Sequence, residues 1–174
     1  NTGDQAIPQT GTGTIIDDGT GPGPDPDSDR PTVSISDAGV VNEGDTANFV
    51  VSITNEADSP VHVELGLDLG DTETGDLGVL EYNTGSGWVA VPNDGVVTVP
   101  AGLSEFDVRV ATIVDEVFEG PEEFSVSVTG LDSVQGSDSG SATIVDDNTG
   151  PSPDPDDDRP TVSISDAGTI NEGG

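Results

Sequence analysis

The feature that most constrains the fold of this chain is an internal repeat with a period of 129 residues. Residues 13–45 return as residues 142–174, and 25 of the 33 aligned positions are identical. A period of this length is that of a whole domain, not of one solenoid unit. We therefore expect one complete repeat, residues 30–147, between the last strand of a preceding repeat (1–18) and the first strand of a following one (159–174). The chain then represents an internal part of a longer string of domains.

Two segments rich in proline and aspartate, residues 19–29 and 148–158, lie between these repeats. Alternating prolines and mutually repelling aspartates keep such a segment extended, which predicts a solvated spacer. The alternative is that a cation binds the linker carboxylates and stiffens the joint, and the sequence leaves both open. An EF-hand is disfavoured because Arg30 and Ser36 stand where its loop needs glycine and glutamate. The linker aspartates concerned are Asp25, Asp27 and Asp29 with their copies Asp154, Asp156 and Asp158.

The charge of the chain excludes two classes of partner. Its 35 acidic residues face only three basic ones, so the net charge is −32. The electrostatic field of a chain with this negative charge repels nucleic acid and anionic membranes. No run of residues is apolar enough for a membrane span, and the absence of cysteine excludes disulfides and thiolate zinc sites.

The apolar residues predict a β-fold. Valine outnumbers leucine 22 to 7, and β-branched residues favour strands. Apolar and polar residues alternate with period 2 in runs separated by turn signals. The expected strands are 31–36, 46–54, 60–68, 95–99, 103–113, 122–129 and 139–145, with short hairpin pieces at 78–82 and 87–91. This pattern predicts an all-β protein whose complete repeat is an antiparallel Greek-key β-sandwich of immunoglobulin type.

The acidic residues of the complete repeat are sorted toward one end of this sandwich. If successive strands alternate in direction, the connections 37–45, 68–78 and 114–123 share one pole with Asp146 and Asp147. That pole collects fourteen carboxylates and the opposite connections only four. The fourteen are Asp37, Glu43, Asp45, Asp68, Asp71, Glu73, Asp76, Asp115, Glu116, Glu119, Glu122, Glu123, Asp146 and Asp147.

Crowded carboxylates must either raise their pKa or bind a cation. Six to eight hard oxygen ligands suit Ca²⁺, whereas zinc and copper would need histidine or cysteine. The alternative is a solvated acidic surface of the kind that halophilic proteins carry. Sorting of the acids to one pole favours calcium over that alternative.

Three motifs resemble a known family. "VNEGD" (41–45), "IVDEVFEGPEEFSVSV" (113–128) and "SATIVDD" (141–147) resemble, in order, the motifs of the Calx-β domain, a calcium-binding sandwich. Tandem copies with proline–aspartate linkers look like the extender region of giant repeats-in-toxin (RTX) adhesins of bacteria. The resemblance implies an extracellular, calcium-binding structural repeat.

The resemblance also implies a set of ligands. Side-chain oxygens would come from Glu43, Asp76, Asp115, Glu119, Glu122, Asp146 and Asp147, and a main-chain carbonyl from Val117. Asp17 and Asp18 are the corresponding closing pair of the preceding repeat. Val114 and Asn148 stand where some members carry aspartate, which suggests fewer ions than in the richest members. In the divergent loop 68–80, Asp71 could replace Asp76.

The remaining candidates for chemistry are few. His62 is expected to point to solvent, and Arg109 to form a local ion pair with Glu105 or Asp107. Trp88 and Tyr82 could stack on a sugar but are expected to pack on the sheet. No catalytic motif is present, so we do not expect an enzyme.

We expect a calcium-stabilised spacer that projects a distal binding tip of an adhesin, with neighbouring repeats of the same chain as its partners. Other domains of the parent protein would contact the adhesion target. The alternatives are a calcium sensor of the Calx-β kind and a glycan- or protein-binding adhesive module.

Overall fold

The structure, a computed structural model, describes residues 10–14, 30–115, 117–146, 159–169 and 171–173. The chain divides into two compact units, Asn1–Arg30 and Pro31–Gly174. In the first unit, the described residues 10–14 are exposed and form no strand. All strands of the described residues lie in the second unit.

The second unit is a β-sandwich of two five-stranded sheets. One sheet has the order β1-β3-β8-β5-β6 and the other β2-β10-β9-β4-β7. The strands are β1 (Thr32–Ile35), β2 (Gly39–Asn42), β3 (Thr46–Thr54), β4 (Val61–Asp68), β5 (Glu81–Asn83), β6 (Val89–Ala90), β7 (Val96–Val99), β8 (Glu105–Ala111), β9 (Glu122–Gly130) and β10 (Ser137–Val145). The described residues contain no helix that is long and apolar enough to cross a membrane. The prediction of an all-β sandwich is thus confirmed.

Valine and phenylalanine side chains fill the space between the two sheets. In β3 every second residue is buried, as expected for a strand with one face on the core. Phe49 of β3 and Phe124 of β9 meet across the sandwich edge to face, with ring centroids 6.2 Å apart. Val51, Val108 and Val126 around them have no exposed surface. This core contains no charged group and holds the strand ends in fixed positions.

One strand was missed by the sequence analysis. Residues 37–45 are expected there to form one connection, but Gly39–Asn42 is a strand, β2, that pairs parallel to β10. The chain crosses from one sheet to the other between β1 and β2. Alternation cannot reveal β2 because its burial runs exposed, exposed, buried, buried. The second sheet is therefore mixed rather than purely antiparallel.

The strand directions bring four parts of the chain to one end of the sandwich. We call this end the acidic pole and define it as residues 43–45, 69–80, 112–115 and 117–122 together with Asp146. Asp37 does not belong to it, because its Oδ1 accepts a hydrogen bond from the Ser141 backbone N–H beside the middle of β10, at 2.8 Å. Asp37 lies away from the pole because the chain crosses from one sheet to the other at this point.

The second copy of the first strand is exposed. Residues 159–169 form no strand, and Val162 and Ile164 are each 97% exposed. Their counterparts one period earlier, Val33 and Ile35, are buried. That residues 159–174 open a further complete repeat stays a prediction.

Several predicted ligands lie outside the described residues. They include the closing pair of the preceding repeat, the second residue of the closing pair of the complete repeat, and the linker carboxylates, and their predicted roles stay predictions. They are Asp17, Asp18, Asp25, Asp27, Asp29, Asp147, Asp154, Asp156 and Asp158.

The central aromatic pair should dominate the stability of the sandwich. Replacing Phe49, which is fully buried, by alanine leaves a cavity and should lower the free energy of unfolding by about 3–5 kcal/mol. Val89→Ala is the matched control: the side chain is 51% exposed, and the loss should stay below about 0.5 kcal/mol. Urea denaturation at one fixed calcium concentration measures both. Equal losses for the two variants would contradict the described core.

Candidate metal centre

Three carboxylates from two loops converge at the acidic pole. Asp76 lies in the connection between β4 and β5, Glu119 in that between β8 and β9, and Glu122 at the start of β9. One carboxylate oxygen of each lies within 4.8 Å of the other two, and all three residues are half-buried. Oxygens at this spacing can bind one cation together.

A second acidic group lies next to this triad. The Asp115 backbone N–H donates to Glu43 Oε1 at 2.9 Å, which joins the turn before β3 to the loop before β9. The Glu119 N–H donates to Asp146 Oδ2 at 3.1 Å. Glu119 thus adjoins both groups, through its carboxylate and through its backbone. Four segments that are distant in sequence meet here.

Asp146 provides a second, independent observation that points to a cation at the pole. It is only 5% exposed, and its Oδ1 has no hydrogen-bond partner among the described residues. A buried polar atom without a partner costs about 1–3 kcal/mol, and more when it is charged. The position at the end of β10, where the strand enters the pole, therefore suits a carboxylate that binds a cation.

The electrostatics of the pole favour protonation when no cation is bound. Burial and the neighbouring Asp146 carboxylate together raise the pKa of Glu43 to about 7, against the opposing effect of the hydrogen bond from the Asp115 N–H. The pKa of Glu119 is raised by burial and by the charges of Asp76 and Asp115. Burial and the charge of Glu119 likewise raise the pKa of Glu122. Each carboxylate would be stabilised in its charged form by a neighbouring cation.

Thr112 holds two of the acidic segments together. Its buried hydroxyl donates to the carbonyl oxygens of Asp45 at 2.9 Å and Asn42 at 3.2 Å, and its N–H donates to the Asp45 carbonyl at 2.9 Å. The loop before β9 is thereby fixed to the turn that carries Glu43. The sequence analysis assigned no role to Thr112 or Asn42, and a single threonine at a strand end gives no pattern that would reveal one.

The loop that carries Asp76 is fixed by its backbone. The Ile113 N–H donates to the Asp76 carbonyl at 2.8 Å, and Asp76 Oδ2 accepts from the Glu73 N–H. Gly70 in the same loop has φ +57°, and a Cβ there would lie 2.1 Å from the Glu123 carbonyl oxygen. Only glycine allows this approach, which positions the loop beside β9.

The predicted ligands that lie among the described residues are found together at the acidic pole. That they bind a metal stays a prediction. Six carboxylates lie in the two adjoining groups: Glu43, Asp76, Asp115, Glu119, Glu122 and Asp146. Val117 lies between Asp115 and Glu119 in the sequence, and its N–H donates to Asp115 Oδ1 at 2.6 Å. Glu73, which the resemblance did not assign, is close enough to raise the pKa of Glu119 and Glu122.

The other candidates have ordinary structural roles. Arg109 pairs with Glu81 of β5 at 2.8 Å, not with Glu105 or Asp107, and its guanidinium carbon lies 4.1 Å from the centre of the Trp88 ring. The cross-strand register of β5 and β8, which places Glu81 opposite Arg109, decides this pairing. His62 is partly exposed and its Nδ1 lies 3.1 Å from Asp132 Oδ2.

Comparison with known proteins supports the fold. No family model matches the sequence and no curated protein matches it. Among solved structures, CBD12 from CALX1.2 is similar with a TM-score of 0.51 and 20% identity, over 67% of this chain and 44% of that one. A structure described as calcium binding domain CBD12 of CALX1.1 has a TM-score of 0.46 and 17% identity, with the same coverage. This chain thus spans less than half the length of either structure. The β-sandwich is of the kind found in CBD12 from CALX1.2.

The chemistry of the donors fits calcium. Every side-chain donor in the two groups is a carboxylate oxygen, and the donors come from several loops and strand ends rather than from one rigid strand. Ca²⁺ accepts such ligands in irregular geometry, whereas Mg²⁺ demands a near-ideal octahedron and retains waters. The buried Asp146 oxygen and the convergent triad would supply part of its coordination.

The raised pKa of Glu43 predicts how stability depends on pH in the metal-free protein. The folded state binds a proton at Glu43 with a pKa of about 7, against 4.5 for the ordinary carboxyl. Between these values the folded state holds more protons, so stability should fall as pH rises from about 4.5 to 7. Thermal melting in EDTA across this range measures the effect.

The variant Glu43→Gln should flatten this pH dependence, because the neutral amide does not titrate. Glu56→Gln is the matched control at the opposite pole and should leave the slope unchanged. A metal-free melting temperature that rises steadily from pH 4.5 to 7 in the unmodified chain would contradict the proposed electrostatics.

Proposed function

We propose that this chain is part of a calcium-stabilised structural spacer in an extracellular adhesin. The observation that carries the proposal is the meeting of carboxylates from four segments at the acidic pole, where the Asp76, Glu119 and Glu122 triad adjoins Asp146 with its buried, unpartnered oxygen. Calcium there would neutralise the repulsion between the carboxylates of these loops. The role is structural rather than catalytic.

The stabilising effect of the ion follows from linkage. A ligand that binds only the folded state at one hundred times its dissociation constant adds about 2.7 kcal/mol to the free energy of unfolding. Domains are stable by only about 5–15 kcal/mol, so two or more ions would decide whether the repeat folds. A chain of this kind would be loosely folded at the low calcium concentration inside the cell and stably folded at the higher concentration outside it.

The spacer role rests on the repeat and on the place of the acidic pole. The last strand, β10, ends at the pole with Val145 and Asp146. The chain continues from there into a proline- and aspartate-rich sequence, 148–158, and then into the copy of the first strand. An ion bound at this end would restrict the direction in which the chain leaves. Serial copies of one domain suit a spacer better than a sensor, which needs a single response.

A glycan-binding role is less well supported. One face of Trp88 is covered by the Arg109 guanidinium, and Arg109 is held in turn by Glu81. Tyr82 packs against the core from β5. Both aromatic side chains are therefore engaged in packing, and less of their ring surface is accessible for stacking on a sugar.

Removal of calcium should lower the melting temperature substantially. We expect a difference of about 10 °C for each bound ion between saturating calcium and EDTA, from the linkage energy and the size of the domain. Differential scanning calorimetry on the full chain measures it, with magnesium at equal concentration as the test of ion selectivity. An unchanged melting temperature would overturn the proposal.

A matched pair of variants locates the effect. Glu122→Gln removes one charged oxygen of the triad and should abolish a large part of the calcium-dependent shift. Glu56→Gln changes the net charge equally but lies in the connection between β3 and β4 at the opposite pole, so the shift should persist. Equal calcium-dependent shifts of the melting temperature in the two variants would mean that the ion binds elsewhere.

Calcium should also lengthen the protein if it restricts the joint. Small-angle scattering on a protein of two complete repeats joined by residues 148–158 should show a larger maximum dimension with calcium than with EDTA. Potassium chloride at equal ionic strength is the control for screening of the acidic linker. Equal dimensions would restrict the role of calcium to stabilising each domain.

A further inference from the structure

We propose that a cavity beside the start of β8 binds a primary alkylammonium group, from a lysine side chain of another protein or from a free aliphatic amine. The cavity has a volume of about 210 Å³ and is lined by residues 83–85, 103 and 105–107. We call it the β8 cavity. It shares no residue with the acidic pole, so the proposal is independent of the calcium site proposed there.

The β8 cavity lies where β8 extends past the end of its neighbour β5. Asn83, the last residue of β5, pairs with Asp107 of β8, and the chain then turns toward β6. Glu105 and Phe106, the first two residues of β8, pair with β3 on their other side but not with β5. The space next to these two residues is therefore left open by the sheet itself.

A hydrogen-bonded turn forms one wall of the β8 cavity. The Oδ1 atom of Asn83 accepts hydrogen bonds from the Gly85 N–H at 2.9 Å and from the Gly87 N–H at 3.0 Å. These bonds close the turn after β5, which contributes Thr84 to the lining. The wall is thus formed by contacts within the chain and does not depend on a ligand.

Two carboxylates of the β8 cavity are not neutralised by the chain. Glu105 and Asp107 are exposed on the same face of β8. The sequence analysis expects Arg109 to pair with one of them, but Arg109 pairs with Glu81 and lies over the Trp88 ring. Neither carboxylate forms an ion pair with a described residue, and the chain contains no lysine. A cation that neutralises them would come from another molecule.

The remaining lining of the β8 cavity is apolar. Leu103 packs against the core between the sheets, and Phe106 beside it is buried. An apolar surface next to two carboxylates suits a ligand with an aliphatic stem and a cationic end. Lysine side chains bury their methylene stems in this way while the charged end stays at the surface.

The positions of the two carboxylates favour an ammonium over other cations. Alternate residues of a strand lie about 6–7 Å apart, so one group between Glu105 and Asp107 can donate to both. An ammonium is compact and has three donors, whereas a guanidinium binds a single carboxylate through its planar fork. A metal is disfavoured, because the described residues bring three ligand atoms together only at Asp76, Glu119 and Glu122.

The volume of the β8 cavity limits the ligand to a small group. Sites for drug-sized ligands measure about 300–1,000 Å³, which exceeds the volume of about 210 Å³ found here. The cavity therefore suits one side chain or one small amine rather than a larger organic molecule.

Nuclear magnetic resonance titration of the isotope-labelled full chain with pentylamine tests the proposal. Saturating calcium is present throughout, so that the acidic pole does not attract the amine. We expect changes of amide chemical shift at residues 83–85 and 103–107. Pentanol, which has the stem without the charge, should bind at least about tenfold more weakly. Methylamine has the charge without the stem and should also bind at least about tenfold more weakly, because each buried methylene contributes about fourfold.

Two double variants locate the amine. Glu105→Gln with Asp107→Asn removes both charges of the β8 cavity and should weaken the binding of pentylamine at least about tenfold. Glu56→Gln with Glu64→Gln is the matched control. It changes the net charge equally at two exposed residues outside the cavity, and the affinity should be unchanged.

A blocked lysine, Nα-acetyl-lysine-N-methylamide, distinguishes the two sources of the ammonium. Binding as tight as that of pentylamine would identify a site for a lysine side chain of another protein, and much weaker binding a site for free amines. Shift changes spread over the acidic surface, equal affinities for pentylamine and pentanol, or equal weakening in the two double variants would each overturn the proposal.

Discussion

Repulsion among carboxylates at one end of a small sandwich is the constraint on which the rest of this structure depends. Asp76, Glu119 and Glu122 bring oxygens within 4.8 Å of one another, and burial together with the neighbouring Asp146 raises the pKa of Glu43 to about 7. Proteins relieve such crowding by protonation or by cations.

The fold separates this source of instability from the part that holds the domain together. The core between the sheets consists of valine, phenylalanine and other apolar side chains and contains no charged residue among those described. The acidic loops are attached to it by backbone hydrogen bonds and by Thr112, which bonds to the carbonyls of Asn42 and Asp45. The loops are thus positioned without depending on the ion, while their mutual repulsion remains to be balanced. This division explains how a strongly acidic chain can still specify one sandwich.

Much of the architecture could be predicted from the sequence because its signals are periodic. Alternation located β3, β4 and β9 to within one residue, and strand direction alone gathered the acidic loops at one pole. The strand β2 could not be predicted, because four residues that cross between sheets carry no alternation. The predicted partner of Arg109 was wrong for a related reason. The register of β5 and β8 places Glu81 opposite Arg109, and this register depends on tertiary packing. The support from Thr112 is likewise a matter of three-dimensional proximity.

The central claim is that a divalent cation is an integral part of the acidic pole. The most direct measurement is a crystal structure of the chain grown with calcium, with anomalous scattering data that locate the ion. The account predicts an anomalous peak about 2.3–2.6 Å from carboxylate oxygens of Asp76, Glu119 and Glu122, with a second peak beside Asp146 if more than one ion binds. Well-ordered loops with no peak between these carboxylates at saturating calcium would contradict it.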